Sequence, residues 1–154
     1  MEVKKELWGK SACGKEIYLY TLTNSKGAYV QLGSVGAAIV SVVVPDKDGN
    51  LADVSLGYAD PVSYFGDGPF MGKTPGRYAN RISNGSFEIG GNKYEITKNE
   101  KVITCLHGGG EMSHALWDAK VISENSVLLT ICIVPLASYT ICPWSLSNFM
   151  VTLL

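Results

Sequence analysis

Short runs of β-forming residues, each closed by a turn signal, recur along this chain, and no window of about 11 residues carries a helical stripe. An all-β, antiparallel arrangement is the class that fits this alternation. Glu16–Thr23 reads as a strand ending at Asn24-Ser25-Lys26-Gly27, and Tyr29–Leu32 follows it. Ala37–Val44 is apolar and β-branched, as a buried strand requires. Pro45-Asp46-Lys47-Asp48-Gly49-Asn50 then makes a turn, because Pro presets φ and Gly supplies positive φ, and Leu51–Leu56 returns as the hairpin partner. Ser86–Ile89 and Lys93–Thr97 flank Gly90-Gly91-Asn92, a second hairpin signal. Ala115–Ser123 and Ser126–Val134 are expected to pair across Glu124-Asn125. In between, Gly57–Thr74 breaks the pattern with glycines, prolines and the aromatics Tyr58, Tyr64, Phe65 and Phe70, which marks a functional loop.

A chain of 154 residues suits one domain with a real core. Its 13 basic and 14 acidic residues leave a net charge of -1, and no basic stripe offers itself to nucleic acid. All of those charges fall in the first 124 positions, so we divide the chain into a body, 1–124, and an uncharged apolar tail, 125–154. Cys13, Cys105, Cys132 and Cys142 form no CxxC pair and read as buried free thiols of a reducing compartment. The N-terminal Met1-Glu2-Val3-Lys4-Lys5-Glu6 has no apolar core of a signal peptide, so a cytoplasmic location is the expectation.

Several chemistries are set aside by spacing. Gly72-Lys73-Thr74 invites a phosphate-loop reading, but Asp67 stands where that loop needs Gly, and no strand precedes or helix follows. His107 and His114 are seven positions apart, neither a helical ligand pair nor a zinc-finger spacing, so neither metal nor cofactor is expected. No GxSxG elbow is present. What remains is Gly76-Arg77-Tyr78-Ala79-Asn80-Arg81-Ile82 together with Leu106-His107-Gly108-Gly109. Arg and Asn present paired donors and an acceptor that suit vicinal hydroxyls. A neutral His donates to one oxygen and accepts from another, and glycines let backbone approach a ligand. Tyr64, Phe65, Phe70 and Tyr78 offer apolar faces for the C–H side of a sugar ring. The combination points to a neutral polyol.

With these residues in place the chain resembles the aldose 1-epimerase family. The resemblance is carried by Gly36-Ala37-Ala38-Ile39-Val40-Ser41, Pro45-Asp46, Gly49, Tyr64-Phe65-Gly66, the stretch from Gly76 to Ile82 and Asn84-Gly85-Ser86-Phe87. It continues through Tyr94, Asn99, Leu106-His107-Gly108-Gly109 and Trp117, ten residues past the histidine, so that it runs from about residue 16 to about residue 130. It implies an antiparallel β-sandwich of the galactose mutarotase type, acting on a small-molecule aldose such as galactose or glucose by interconverting its α and β anomers. The residues that it places on the sugar are Asn80, Arg81 and His107. Thr104 departs from the pattern, since many relatives carry Asn three residues before the histidine, and the spacing from Asn99 is one residue long.

The family's general-acid histidine and general-base glutamate fall beyond the matched stretch, so the resemblance assigns neither catalytic role here and implies a sandwich incomplete at its C-terminus. Little mutarotase activity is therefore expected of the chain alone. Three readings of the tail stand side by side: a frameshifted or mis-spliced reading frame, an ordinary buried β-region, and a transmembrane helix. The 30 uncharged residues are long enough for the helix, but Pro135 and Pro143 interrupt it and no basic residue follows, so a membrane span is not expected. The alternative function is a non-catalytic carbohydrate-binding or vestigial β-sandwich. A phosphosugar enzyme would need a basic cluster that the sequence does not offer. The sequence carries no sign of oligomeric state.

Overall fold

The structure is a computed structural model describing residues 2–66, 68–133 and 145–152. The chain opens with an antiparallel meander of β1 (Glu2–Lys10), β2 (Glu16–Thr23), β3 (Tyr29–Gly33), β4 (Ala38–Pro45) and β5 (Leu51–Asp53), hydrogen-bonded in that order. The turns close as their residues dictate. The Asn24 carboxamide oxygen accepts the Lys26 and Ala28 amides, and the Asp46 carboxylate accepts those of Asp48 and Asn50. A two-residue pair, β6 (Arg81–Ile82) with β9 (Cys105–Leu106), and the hairpin of β7 (Ser86–Ile89) and β8 (Asn92–Glu95) follow. The last sheet holds β10 (Asp118–Ser123), β11 (Ser126–Ile133) and β12 (Ser145–Thr152), with β11 in the middle.

The two larger sheets face each other across one core. Tyr20 and Leu22 of β2 and Val30 and Leu32 of β3 meet Val127, Leu129 and Ile131 of β11, with Met112 and Trp117 closing the cluster. Leu22, Leu32, Val127 and Leu129 are fully buried, and each such side chain contributes about 1.5–3 kcal/mol relative to exposure. The opposite face of the meander is also covered. Ile17, Leu19, Ala38 and Val40 pack there with Val35 and Tyr64, the latter from the irregular segment after Gly57. A bulge in β4 makes this possible: Gln31 pairs with Ser41 but Leu32 with Ile39, so Val40 is the extra residue and Ile39 and Val42 share a face.

Several expectations are corrected. The first strand of the meander, β1, was not anticipated from its charged residues, which suit an edge strand; Lys4 and Glu6 pair on it at 2.6 Å. The strand expected over Leu51–Leu56 stops at Asp53 because the Asp53 carboxylate takes the amides of Val42 and Ser55 and turns the chain. The strand expected from Ala115 begins at Asp118. Of the cysteines, Cys105 is buried, but Cys13 in the β1–β2 turn and Cys132 on the outer side of β11 are exposed. Cys142, Val134, Pro135, Pro143 and Asp67 lie outside the described residues.

Of the three readings of the tail, the spanning helix, which was not expected, finds no support where the tail is described. Val127, Leu129 and Ile131 alternate toward the core with period two, and β12 pairs antiparallel with β11 from Ser126↔Thr152 to Ile133↔Ser145. Among the described residues no helix is long and apolar enough to cross a membrane.

Candidate functional site

Strands β6 and β9 are only two residues long, yet their register brings the candidate residues together. Arg81 pairs with Leu106 and Ile82 with Cys105, so Asn80 precedes one strand where His107 leaves the other. The two residues are bonded to each other. The Asn80 amide donates to His107 Nδ1 at 3.0 Å, and the His107 amide donates to the Asn80 carbonyl at 3.0 Å. Both take positive φ, 62° and 51°, a conformation that side-chain-bearing residues seldom adopt and that recurs at functional sites. Asn80 Oδ1 also accepts the Arg81 amide at 2.9 Å, which fixes the plane of the carboxamide.

These bonds settle the chemistry of the imidazole. A backbone N–H can only donate, so His107 Nδ1 is an acceptor and the neutral ring carries its hydrogen on Nε2. The Phe70 ring lies 4.9 Å from the His107 ring, tilted against it, and stacks with the His114 ring at 5.0 Å. Beneath Phe70, Lys73 is buried, donates to the Tyr64 carbonyl and is pushed down to about 8 by burial. His114 is lowered too, first by burial and then by the charge of Lys73.

Arg81 has a partner that the sequence reading missed. Its Nε donates to Glu100 Oε2 at 2.7 Å and its Nη2 to Glu100 Oε1 at 2.6 Å, a two-pronged ion pair. Each group shifts the other: the guanidinium holds the Glu100 carboxyl below its usual range, and the carboxylate raises Arg81. No local spacing marks Glu100; it reaches Arg81 only because the β7–β8 hairpin folds the chain back. Neighbouring Asn99 acts as an extra strand partner. Its Nδ2 donates to the Leu106 carbonyl at 3.0 Å and its Oδ1 accepts the Leu106 amide at 2.7 Å.

Glu100 is held by a tight turn. Its amide and carbonyl exchange hydrogen bonds with Thr104, and the Ile103 amide returns to the Glu100 carbonyl at 3.1 Å. The two central residues, Lys101 and Val102, have φ of 51° and 60°, the primed geometry that favours Asn-Gly. Val102 is β-branched and 84% exposed, so it bears the strain of this conformation with no burial in return. Val102→Gly is expected to raise stability by about 1 kcal/mol in urea denaturation; a loss of stability would refute the strain assigned to this turn.

The aromatic expectations divide. Phe70 lies beside His107, as described. Tyr64 does not face the site: it is fully buried beneath the meander, with Trp8 and Tyr58 rings edge-on at 5.5 Å and 5.2 Å. Phe65 packs against the same cluster, and the Tyr78 ring lies edge-on to Phe87 at 6.3 Å. Among the described residues no group of three His, Cys, Asp or Glu side chains is placed to hold a metal ion.

Residues 18–144 match the sequence profile of aldose 1-epimerases. The chain belongs to the aldose 1-epimerase family. The match runs past residue 130, where the motif resemblance ends, and takes in β11. A probable aldose 1-epimerase of Arthroderma benhamiae is 33% identical over 129 residues, covering 80% of this chain and 29% of the relative. The aldose 1-epimerase of Escherichia coli is 37% identical over 98 residues, covering 64% of this chain and 28% of that protein. The solved galactose 1-epimerase of Lactobacillus acidophilus superposes with a TM-score of 0.72 over 86% of this chain and 39% of its own, at 24% identity. The antiparallel sandwich is thus the epimerase fold, and this chain spans under a third of the length of the curated relatives it matches.

Proposed function

We propose that Asn80, Arg81 and His107 form the sugar-holding face of an aldose 1-epimerase that interconverts the α and β anomers of an aldohexose such as galactose or glucose. The observation that carries this reading is the reciprocal Asn80–His107 bonding beside Arg81, which joins two motifs 27 residues apart. The face offers donors from a carboxamide, a guanidinium and an imidazole Nε2–H, with the Phe70 ring next to the imidazole. Such a set suits the hydroxyls and C–H face of one neutral sugar.

Anomer interconversion removes the O1 proton, opens the ring as the ring oxygen takes up a proton, and recloses it on the other face of C1. A placed base and a placed acid each contribute ~10²–10⁴ in rate. Within this face Glu100 is a poor base, because Arg81 holds its carboxyl down. The chain's own groups therefore hold the sugar, and no residue is assigned as general acid or base. Polarimetry with α-D-galactose is expected to show little acceleration by this chain, and a rate near that of a full-length relative would overturn this division of labour. Arg81→Ala and His107→Ala are each expected to weaken galactose binding about 10-fold or more, as loss of a hydrogen bond from a charged or half-buried donor does. Galactose affinity unchanged in both variants would sink the proposed face. Sugar binding with no anomer conversion even in a longer protein would favour the non-catalytic alternative.

A further inference from the structure

Glu100 stands out as the one carboxylate in direct contact with the proposed sugar face among the described residues, and it is built in rather than adventitious. Both of its oxygens are engaged by Arg81, at 2.7 Å and 2.6 Å. Its backbone is bonded both ways to Thr104, and the preceding Asn99 is bonded both ways to Leu106. The carboxylate is the more enclosed partner, with 23% of its side chain exposed against 59% for Arg81. The pair is therefore set before any ligand arrives, with the guanidinium outermost and its charge already answered.

We propose that Glu100 is a specificity-determining residue: by neutralising Arg81 it makes the face accept uncharged aldoses and turn away anionic ones, such as uronates and sugar phosphates. The inference rests on the sugar-binding reading above. The pair consumes two guanidinium hydrogens, and the others remain for neutral hydroxyls. An incoming carboxylate or phosphate gains little from a guanidinium that is already paired, and it meets the repulsion of Glu100 at close range. Of the groups besides Arg81 that act on Glu100, Lys101 carries a charge, whereas His107 is held neutral by the amide that its Nδ1 accepts. Lys101 lies at the exposed turn, where solvent screens it.

Galactose and galacturonate form the sharpest probe, because they differ only in a hydroxymethyl or carboxylate at C6. Affinities of both for the full chain, Glu100→Gln and Glu100→Asp are to be measured by isothermal calorimetry at low ionic strength. The wild-type chain is expected to prefer galactose by about 10-fold or more. Glu100→Gln, with its circular dichroism spectrum unchanged, is expected to shift the ratio about 10-fold toward the acid, and this gain shrinks with added salt. Glu100→Asp keeps the charge and the wild-type preference. Equal wild-type affinity for the two sugars, which needs no variant to observe, would overturn the assignment. So would a Glu100→Gln ratio within about twofold of wild type, or a shift in Glu100→Asp as large as in Glu100→Gln. A wild-type chain that binds neither sugar removes the sugar-binding reading itself, and this inference falls with it.

Discussion

Gly108→Ala is expected to abolish galactose binding and to lower stability by about 2–5 kcal/mol. Two costs add at this position. Gly108 has φ +66°, where an L side chain costs about 1–2 kcal/mol. A Cβ there would also sit 2.0 Å from the Gly76 carbonyl oxygen and 2.6 Å from its carbon, contacts that no rotamer relieves because both partners are backbone. Relief requires the segment after His107 to separate from the segment entering Arg77. Those are the two backbones whose closeness lets Asn80 and His107 bond to each other. Gly90→Ala serves as the control: its φ is +57° and nothing lies within 4 Å of the added Cβ, so it isolates the conformational cost at about 1 kcal/mol and leaves binding intact. Equal losses in the two variants, by urea denaturation, would show that the approach of Gly108 to Gly76 does not hold the site together.

The parts of this fold that were legible in the sequence are those governed by neighbours along the chain. Glu16–Thr23 begins and ends where its β-formers and the Asn24 turn indicate, and the hairpins at Asp46–Asn50 and Gly90-Gly91 follow turn chemistry. What escaped depends on partners distant in sequence. The charges of β1 make sense only at a sheet edge, and β5 is cut short by a side chain that reaches across to β4. The site divides the same way. Asn80, Arg81 and His107 stand in recognisable motifs, and the β6–β9 register brings them together. Glu100 stands in no motif, and Asn99, though part of the resemblance, gives no sign of its hydrogen bonds to Leu106, because the ion pair with Arg81 and the clamp on Leu106 exist only once that register is set. Aromatic residues in a glycine-rich segment are the hardest case, since no periodicity tells which way they point.

Tyr64→Ala decides how the segment after Gly57 is used. A sugar-stacking tyrosine would lose binding on truncation and leave stability nearly unchanged. The structure predicts the reverse order of effects: a loss of about 3–5 kcal/mol from the cavity, with any effect on sugar affinity following from unfolding. The ring is fully buried against Ile17, Leu19 and Val40, and its hydroxyl accepts the Tyr58 amide at 3.0 Å. The carbonyl of the same residue takes the Lys73 ammonium, which lies 5.8 Å from the Phe70 ring, so this anchor also supports the floor of the site. Tyr64→Phe keeps the ring and removes the acceptor, leaving a half-buried amide unmatched at a cost of about 1 kcal/mol. Urea midpoints should therefore rank wild type above Tyr64→Phe and Tyr64→Ala lowest. Should Tyr64→Ala unfold within about 1 kcal/mol of wild type while losing galactose affinity, the residue would belong to the sugar face and not to the second core.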